Sequence, residues 1–353
     1  MDGVSNSPRE ASPGVRGADP LVLGTLYCTV SALGYTAANL CLCSLANVAD
    51  QVWTLWVKES VTVAVVGPWL LYQVVRGRYA LPSVKAIAVM ATVGAAVQLL
   101  GNLNMLGAFG VVGLAVTVPL VYAVNLAGTA ILGRAVLGER VTLRSALAIG
   151  SLIASITLLN LGAGSDGRVS VEELGNVRMA VAAACLAGAV YAVMTISIRK
   201  SVAGVMPLPM VVLIIPAMGT LTLGPLGLWR QGIQGLLSVQ PQHFGLMLLA
   251  GTLNLVAFLS YTKALRVITA LEANVVNAAQ VAMAAVGGVL FFSEPPSGLL
   301  ALGVALTILG IFLIERPARA YQGPAVACNR RPSARTTRST VANSGLPSDD
   351  NAL

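Results

Sequence analysis

Charged side chains are scarce in this sequence. Only 10% of its 353 residues are Asp, Glu, Lys or Arg, whereas 56% are apolar, and the mean hydropathy is +0.80. A soluble globular domain carries about 25% charged residues. The composition therefore excludes an ordinary soluble domain and favours a protein whose main solvent is lipid.

Residues that support catalysis or metal binding are also few. The single histidine, His243, lies at a predicted helix edge, and no HExxH, GxSxG or phosphate-binding Gly-Lys-Ser/Thr pattern occurs. Four of the five cysteines lie in apolar stretches, and Cys41 and Cys43 have the wrong spacing for a zinc ligand pair. We therefore expect no enzyme activity, no metal, no cofactor and no disulfide framework.

Long apolar stretches recur from position 20 to about position 316. About 20 apolar residues span the ~30 Å hydrocarbon core of a bilayer as a helix, so the chain is predicted to be an all-α polytopic membrane protein with ten transmembrane helices. The predicted spans are 20–43, 52–75, 84–106, 109–133, 142–162, 177–198, 207–229, 243–265, 269–292 and 297–315. No apolar core precedes a cleavage site within 1–19, so we expect no cleaved signal peptide, and the first helix is expected to remain as an anchor.

Basic residues alternate between successive loops. The loops on one side, with their flanks, hold ten of them: Arg76, Arg78, Lys85, Arg134, Arg140, Arg144, Arg199, Lys200, Lys263 and Arg266. The other side holds three, Arg168, Arg178 and Arg230. Cytoplasmic loops are enriched in Lys and Arg, so both termini are predicted to be cytoplasmic and the protein to lie in the cell (inner) membrane. This distribution accounts for the net charge of +8 without nucleic-acid binding.

The last two helices of each half share an internal repeat. A shift of 155 residues places Glu139 on Glu294, each after a long apolar helix. The same shift superposes polar side chains of the fourth and ninth spans, with Thr117 on Glu272, Tyr122 on Asn277 and Asn125 on Gln280.

Five helices per half is an odd number, so the second half must cross the membrane in the opposite sense. The fold is therefore predicted to be two inverted five-helix repeats, 20–162 and 177–316. An extracytoplasmic linker, 163–176, joins them. The segment 1–19 is predicted to be polar and cytoplasmic, and the Arg-rich tail 317–353 to be disordered because it has too little apolar surface for a core.

Short motifs at the helix ends resemble those of a known family. They are Leu137-Gly138-Glu139-Arg140-Val141-Thr142, Phe292-Ser293-Glu294-Pro295, the run from Tyr191 to Lys200, and Tyr261-Thr262-Lys263-Ala264-Leu265. In their order, they resemble the EamA-like proteins of the drug/metabolite transporter superfamily, over about residues 20–316. The resemblance implies two inverted five-helix repeats and movement of a small metabolite or drug-like solute.

Two charged residues lie inside the second apolar span, Lys58 and Glu59. A charge at the bilayer centre costs about 2.5–3.5 kcal/mol, so compensation is expected. Either Lys58 extends outward beside Trp53 and Trp56, or one of the pair faces a central cavity as a substrate or proton-coupling partner. Neighbouring positions on a helix do not face each other, so a mutual ion pair is not expected.

The candidate substrate-binding residues are Lys58, Glu59, Tyr122, Asn125, Tyr191, Glu272, Asn277 and Gln280. Three alternatives stay open for them. The amides can bridge helices by hydrogen bonds, Glu272 can complement the dipole at the start of its helix, and Tyr191 can pack as a core aromatic. Gln98, Asn102, Asn104 and Asn254 are weaker candidates of the same kind.

We therefore predict a secondary transporter that works by alternating access between its two repeats. The alternatives are a non-transporting membrane scaffold and a flippase for a lipid-linked substrate. The predicted partners are a small-molecule solute and membrane lipids. Proton or ion coupling and homodimer formation are left open.

Overall fold

The computed structural model describes residues 20–139 and 171–292, with isolated helical positions between 143 and 154 and between 298 and 309. Every long regular element in this part of the chain is a helix. The helices are α1 (Pro20–Leu45), α2 (Gln51–Val75), α3 (Val84–Val112), α4 (Leu114–Leu137), α5 (Val171–Val202), α6 (Leu208–Gln231), α7 (Gln234–Leu237), α8 (Pro241–Val267), α9 (Ala270–Asn277) and α10 (Ala279–Phe292).

Seven helical segments in the described ranges are long and apolar enough to cross a membrane. They are α1, α3, α4, α5, α6, α8 and the combined α9 and α10. The 25-residue α2 is not among them, because Lys58 and Glu59 lower its hydropathy. The chain is therefore an integral membrane protein, and its α2 helix carries a lysine and a glutamate that are buried inside the protein.

Most predicted spans coincide with a helix within a few residues, but the boundary between the third and fourth is wrong. The prediction placed the turn between 106 and 109, whereas α3 continues to Val112. The break lies at Gly113, which has a φ of 74° and separates α3 from α4. Glycine adopts positive φ without steric cost, and hydropathy does not register such a turn when its flanks are apolar.

Two further differences concern the second half of the chain. The predicted ninth span is divided at Ala278 into α9 and α10. The helix α5 begins at Val171, inside the segment predicted to be the linker. Most of the predicted fifth and tenth spans, together with segments 1–19 and 317–353, lie outside the described residues.

The long helices pack as interlocking pairs around a common centre. The first helix lies against α8, α9 and α10, and α5 lies against α3 and α4. In the same way α2 contacts α6 and α8, α3 contacts α6, and α4 contacts α9 and α10. Helices from early in the chain therefore pack mainly on helices from late in the chain.

Glycines bring several of these helices into backbone contact. A Cβ atom on Gly188 of α5 would lie 2.5 Å from the carbonyl oxygen of Val121 in α4. On α8, a Cβ atom at Gly251 would lie 2.7 Å from the carbonyl oxygen of Lys58 in α2. Lipid gives helices little hydrophobic reason to associate, so close packing at small residues is a main source of their association.

We expect Gly188→Ala to lower the melting temperature of the purified protein in detergent. The added methyl group meets backbone and not a movable side chain, and such overpacking costs about 1–3 kcal/mol. The matched control is Gly245→Ala on α8, where nothing lies within 4 Å of the new Cβ atom. Equal melting temperatures for the two variants would contradict this account of α4 and α5.

Candidate functional site

A cavity lies at the centre of the described helices. Its volume is about 120 Å³, measured as the space open to the centre of a water-sized sphere. On that measure one water needs about 10–15 Å³. Seven of the eight predicted binding residues line it: Lys58, Glu59, Tyr122, Asn125, Tyr191, Asn277 and Gln280. The cavity is therefore large enough for a small polar molecule and brings together side chains from both halves of the chain.

Lys58 and Glu59 form an ion pair inside the protein. Lys58 Nζ lies 2.8 Å from Glu59 Oε1, and the two residues are 3% and 2% exposed. The expectation of no mutual ion pair was wrong: the flexible lysine stem folds back across the helix surface, and burial strengthens the attraction between the two charges. Lys58 does not extend outward to the membrane surface either, because the pair lines the cavity.

A π-helical segment of α3, Val97–Asn102, supplies polar partners to this pair. Asn102 Nδ2 donates to Glu59 Oε1 at 3.2 Å and to Gln98 Oε1 at 2.7 Å. Gln98 Nε2 donates to the carbonyl oxygen of Ile215 in α6 at 3.4 Å. Gln98 and Asn102 are four positions apart and therefore lie on one face of the helix, and π-helical segments recur at functional sites. The weaker sequence candidates Gln98 and Asn102 thus belong to the site.

Tyr191 of α5 completes this first cluster. Its hydroxyl donates to Asn102 Oδ1 at 2.6 Å and lies 3.5 Å from the sulfur of Met105. Gly101 allows this approach, because a Cβ atom there would lie 2.9 Å from the Tyr191 ring. Tyr191 therefore combines packing with a polar role, and the two interpretations given for it are compatible.

A second cluster joins α4, α5, α8 and α9. Asn274 Nδ2 donates to Thr129 Oγ1 at 2.8 Å and to Asn125 Oδ1 at 3.3 Å, and the Tyr261 hydroxyl donates to Asn274 Oδ1. Tyr261 also lies 2.9 Å from Thr195 Oγ1. All five residues are buried, so the cluster is a layer of mutually satisfied polar groups between four helices.

Sequence reasoning missed Asn274, Thr195 and Thr129 as members of the site. Tyr261 was noted only as part of a family-like motif. A usable signal existed for Asn274, because it lies three residues before Asn277 and so on the same face of a helix.

Tyr122 connects α4 with the break between α9 and α10. Asn277 Nδ2 donates to its hydroxyl oxygen at 3.0 Å, and Gln280 Nε2 donates to the same oxygen. These two bonds leave the hydroxyl proton of Tyr122 to donate elsewhere. Asn277 Oδ1 is buried and has no hydrogen-bond partner in the protein. One donor and one acceptor are therefore available here to a bound solute.

Glu272, the eighth predicted binding residue, is not among the residues that line the cavity. Its Oε2 atom accepts from the backbone N–H of Thr269 at 2.9 Å, and its own N–H donates to Thr269 Oγ1 at 3.2 Å. This reciprocal arrangement is a capping box at the start of α9. The carboxylate therefore serves the helix terminus, as the alternative interpretation held.

Comparison with known proteins finds a family match over the second half of the chain. Residues 178–316 match the model of the EamA-like transporter family. Over these residues the chain is similar to that family. The resemblance to the drug/metabolite transporter superfamily, predicted from the helix-end motifs, is thereby confirmed.

Solved structures support the fold of this EamA-like protein. One crystal structure superposes with a TM-score of 0.61 over 82% of this chain and 95% of that chain, at 18% sequence identity. In all, 28 solved chains match. No curated protein matches the sequence. At this level of identity the structural likeness establishes the fold alone.

The EamA-like chain has a further polar contact at the membrane end that carries most of its basic residues. Glu139 Oε1 accepts from the backbone N–H of Ala270 at 3.2 Å and lies 3.7 Å from Arg199 Nε. Arg199 in turn donates to the carbonyl oxygen of Leu265. We call the group Glu139, Arg199, Leu265 and Ala270 the basic-end latch, because it ties together the ends of α4, α5, α8 and α9.

Burial raises the pKa of Glu139 above its ordinary value, although the Ala270 N–H and the Arg199 guanidinium act in the opposite direction. The folded protein therefore holds this proton more tightly than the unfolded chain. The stability contributed by the protonated group is complete below the ordinary Glu pKa and is lost as pH rises through the raised value.

We expect the wild type to lose thermal stability relative to Glu139→Gln as pH rises from about 5 to about 8, above the ordinary Glu pKa near 4.3. Glutamine has the shape of the protonated acid and does not titrate. The measurement is the melting temperature of both proteins across this pH range. Parallel curves would show that the carboxyl has no raised pKa.

Proposed function

We propose that this EamA-like protein is a secondary transporter that moves a small polar solute across the membrane. The observation that carries the proposal is the central cavity, in which Lys58 and Glu59 lie among amides at membrane depth. Polar and ionisable groups are costly there and mark solute pathways by default. The match of residues 178–316 to a transporter family agrees with this role.

The helix pairings support the two inverted five-helix repeats on which the mechanism depends. If α1, α2, α3 and α4 correspond to α5, α6, α8 and α9–α10, each packing pair has a counterpart. The packing of α1 on α8 corresponds to the packing of α5 on α3. The packing of α4 on α5 corresponds to that of α9 and α10 on α1, and the packing of α3 on α6 corresponds to that of α8 on α2. The α2–α6 pair corresponds to itself, as a pair on a pseudo-twofold axis must.

Two contacts join residues that the 155-residue shift makes equivalent. Asn277 donates to Tyr122, and Ser151 Oγ donates to the carbonyl oxygen of Leu306 at 2.8 Å. A residue touches its own equivalent only when both lie close to the symmetry axis. We therefore propose ten helices, with the fifth and tenth passing through Ser151 and Leu306.

The proposed alternating access concerns the contacts between the cavity and the basic end. Toward the basic end, the Asn274 cluster comes first and the basic-end latch follows one to two helical turns further along. We propose that this end faces the cytoplasm, by the positive-inside rule, and that the repeats rock about the axis to exchange these contacts for equivalent ones at the opposite end.

Reconstitution tests the proposal. Liposomes containing the protein, exposed to a mixture of small metabolites under an imposed proton or sodium gradient, should accumulate at least one solute above protein-free liposomes, as measured by mass spectrometry. The Asn102 side chain is the shared hydrogen-bond partner of Glu59, Gln98 and Tyr191. The variant Asn102→Leu should therefore lose this uptake, whereas Gly245→Ala should keep it. No accumulation under any gradient would argue against transport.

We expect Arg199→Gln to open the basic end. The variant loses the charge that faces Glu139 and weakens the bond to Leu265, and a hydrogen bond to a charged group is worth about 1.5–3 kcal/mol. In a cysteine-free background with Met194→Cys as a cavity reporter, a membrane-impermeant thiol reagent added at the basic end should react about tenfold faster.

The control is Lys200→Gln, the neighbouring exposed cation on the same helix. It removes the same charge without touching the latch, and it should leave the labelling rate unchanged. Equal rates in both variants would mean that the latch does not govern access from this end.

A further inference from the structure

We propose that the Lys58–Glu59 pair makes the cavity select solutes without net charge, either uncharged polar molecules or zwitterions, over cations and anions of the same size. This inference rests on the proposed function and assigns a substrate class to it. It starts from the charge balance of the site.

The cavity is electrically balanced by a single pair. Among the described residues that line it, Lys58 is the only basic side chain and Glu59 the only carboxylate. Their charged atoms lie 2.8 Å apart, and Asn102 adds a neutral hydrogen bond to Glu59. Each charge is therefore already compensated before a solute arrives.

A solute with net charge disturbs this balance. To obtain a counter-ion it must displace one member of the pair, which leaves the other member buried and unpaired. Breaking a buried ion pair in this way is strongly unfavourable. If the ion pair stays intact instead, only neutral polar groups of the cavity can replace the water that the charged solute loses.

An uncharged or zwitterionic solute avoids both costs. The free acceptor Asn277 Oδ1 and the hydroxyl proton of Tyr122 can bind neutral polar groups. A zwitterion can place its anionic end at Lys58 and its cationic end at Glu59 at once, because the two side chains are neighbours. Neither case leaves a buried charge without a partner.

The fold itself does not require charge at these positions. The Gly67-Pro68 and Gly224-Pro225 pairs relate α2 to α6 by a shift of 157 residues. The same shift places Lys58 on Ile215 and Glu59 on Pro216, and both of these also line the cavity. At equivalent positions of the cavity wall, α2 therefore carries an ion pair and α6 carries apolar residues. This difference favours a role of the ion pair in solute binding over a role in helix packing.

Thiol chemistry tests the charge preference without knowledge of the natural solute. The reporter is Asn254→Cys in a cysteine-free background. Asn254 lines the cavity, one turn along α8 from Gly251, which packs on the Lys58 backbone. The probes are three ethyl methanethiosulfonates that end in trimethylammonium, sulfonate or hydroxyl, with each rate divided by the rate for a small thiol in solution.

With the pair intact, the hydroxyl reagent should react about tenfold faster than either charged reagent. Lys58→Met should raise the ratio of cationic to anionic rates by about a hundredfold, because one unit charge at ~10 Å with an effective dielectric constant near 20 changes each rate by about tenfold, in opposite directions. Glu59→Gln should lower the ratio by a similar factor. The double variant Lys58→Met/Glu59→Gln, which buries no unpaired charge, should return it to the value of the intact pair.

Two results would overturn the selection of net-neutral solutes. One is a preference of tenfold for either charged reagent with the pair intact, a measurement that does not depend on whether the single variants fold. The other is an unchanged ratio in folded single variants. Failure of every reagent, including the neutral one, to reach Cys at position 254 would instead overturn the proposed solute site itself, so the two failures are distinguishable.

Discussion

The absence of water in the membrane interior governs the arrangement of this protein. Most polar groups at that depth find a partner within the chain, since an unpartnered one costs several kcal/mol. Lys58 and Glu59 illustrate the consequence, because two neighbours that point apart on an ideal helix fold toward each other in the cavity wall. The π-helical turn of α3 then brings Asn102 within reach of Glu59.

The same constraint joins helices that are distant in sequence. Asn274 binds residues of α4 and α8, and Arg199 of α5 binds the end of α8. Hydrogen bonds between membrane helices average only about 0.6 kcal/mol. A layer of several such bonds is thus worth a few kcal/mol, which is the range in which a second conformation stays measurably populated. Polar layers of this kind are strong enough to close a pathway and weak enough to reopen.

Hydropathy was sufficient to locate most helices, because lipid demands long apolar runs whatever the sequence details. It failed at Gly113 and Ala278, where one backbone turn breaks a continuous apolar stretch. The repeat comparison found Tyr122, Asn277 and Gln280 because polar residues were superposed on polar residues. It did not find Asn274, because the same shift superposes that residue on Pro119. The Lys58–Glu59 contact depends on the path of a flexible side chain, which spacing along a helix does not determine.

The two ends of the described helices carry corresponding but unequal contacts. Arg199 donates to the carbonyl oxygen of Leu265 at the basic end, and Asn47 Nδ2 donates to that of Gly110 at the other, at 3.1 Å. Leu265 and Gly110 are related by the 155-residue shift. A charge-assisted hydrogen bond is roughly twice as strong as a neutral one, and the carboxylate of Glu139 adds to the contact at the basic end. Of these two corresponding contacts, the one at the basic end is therefore the stronger.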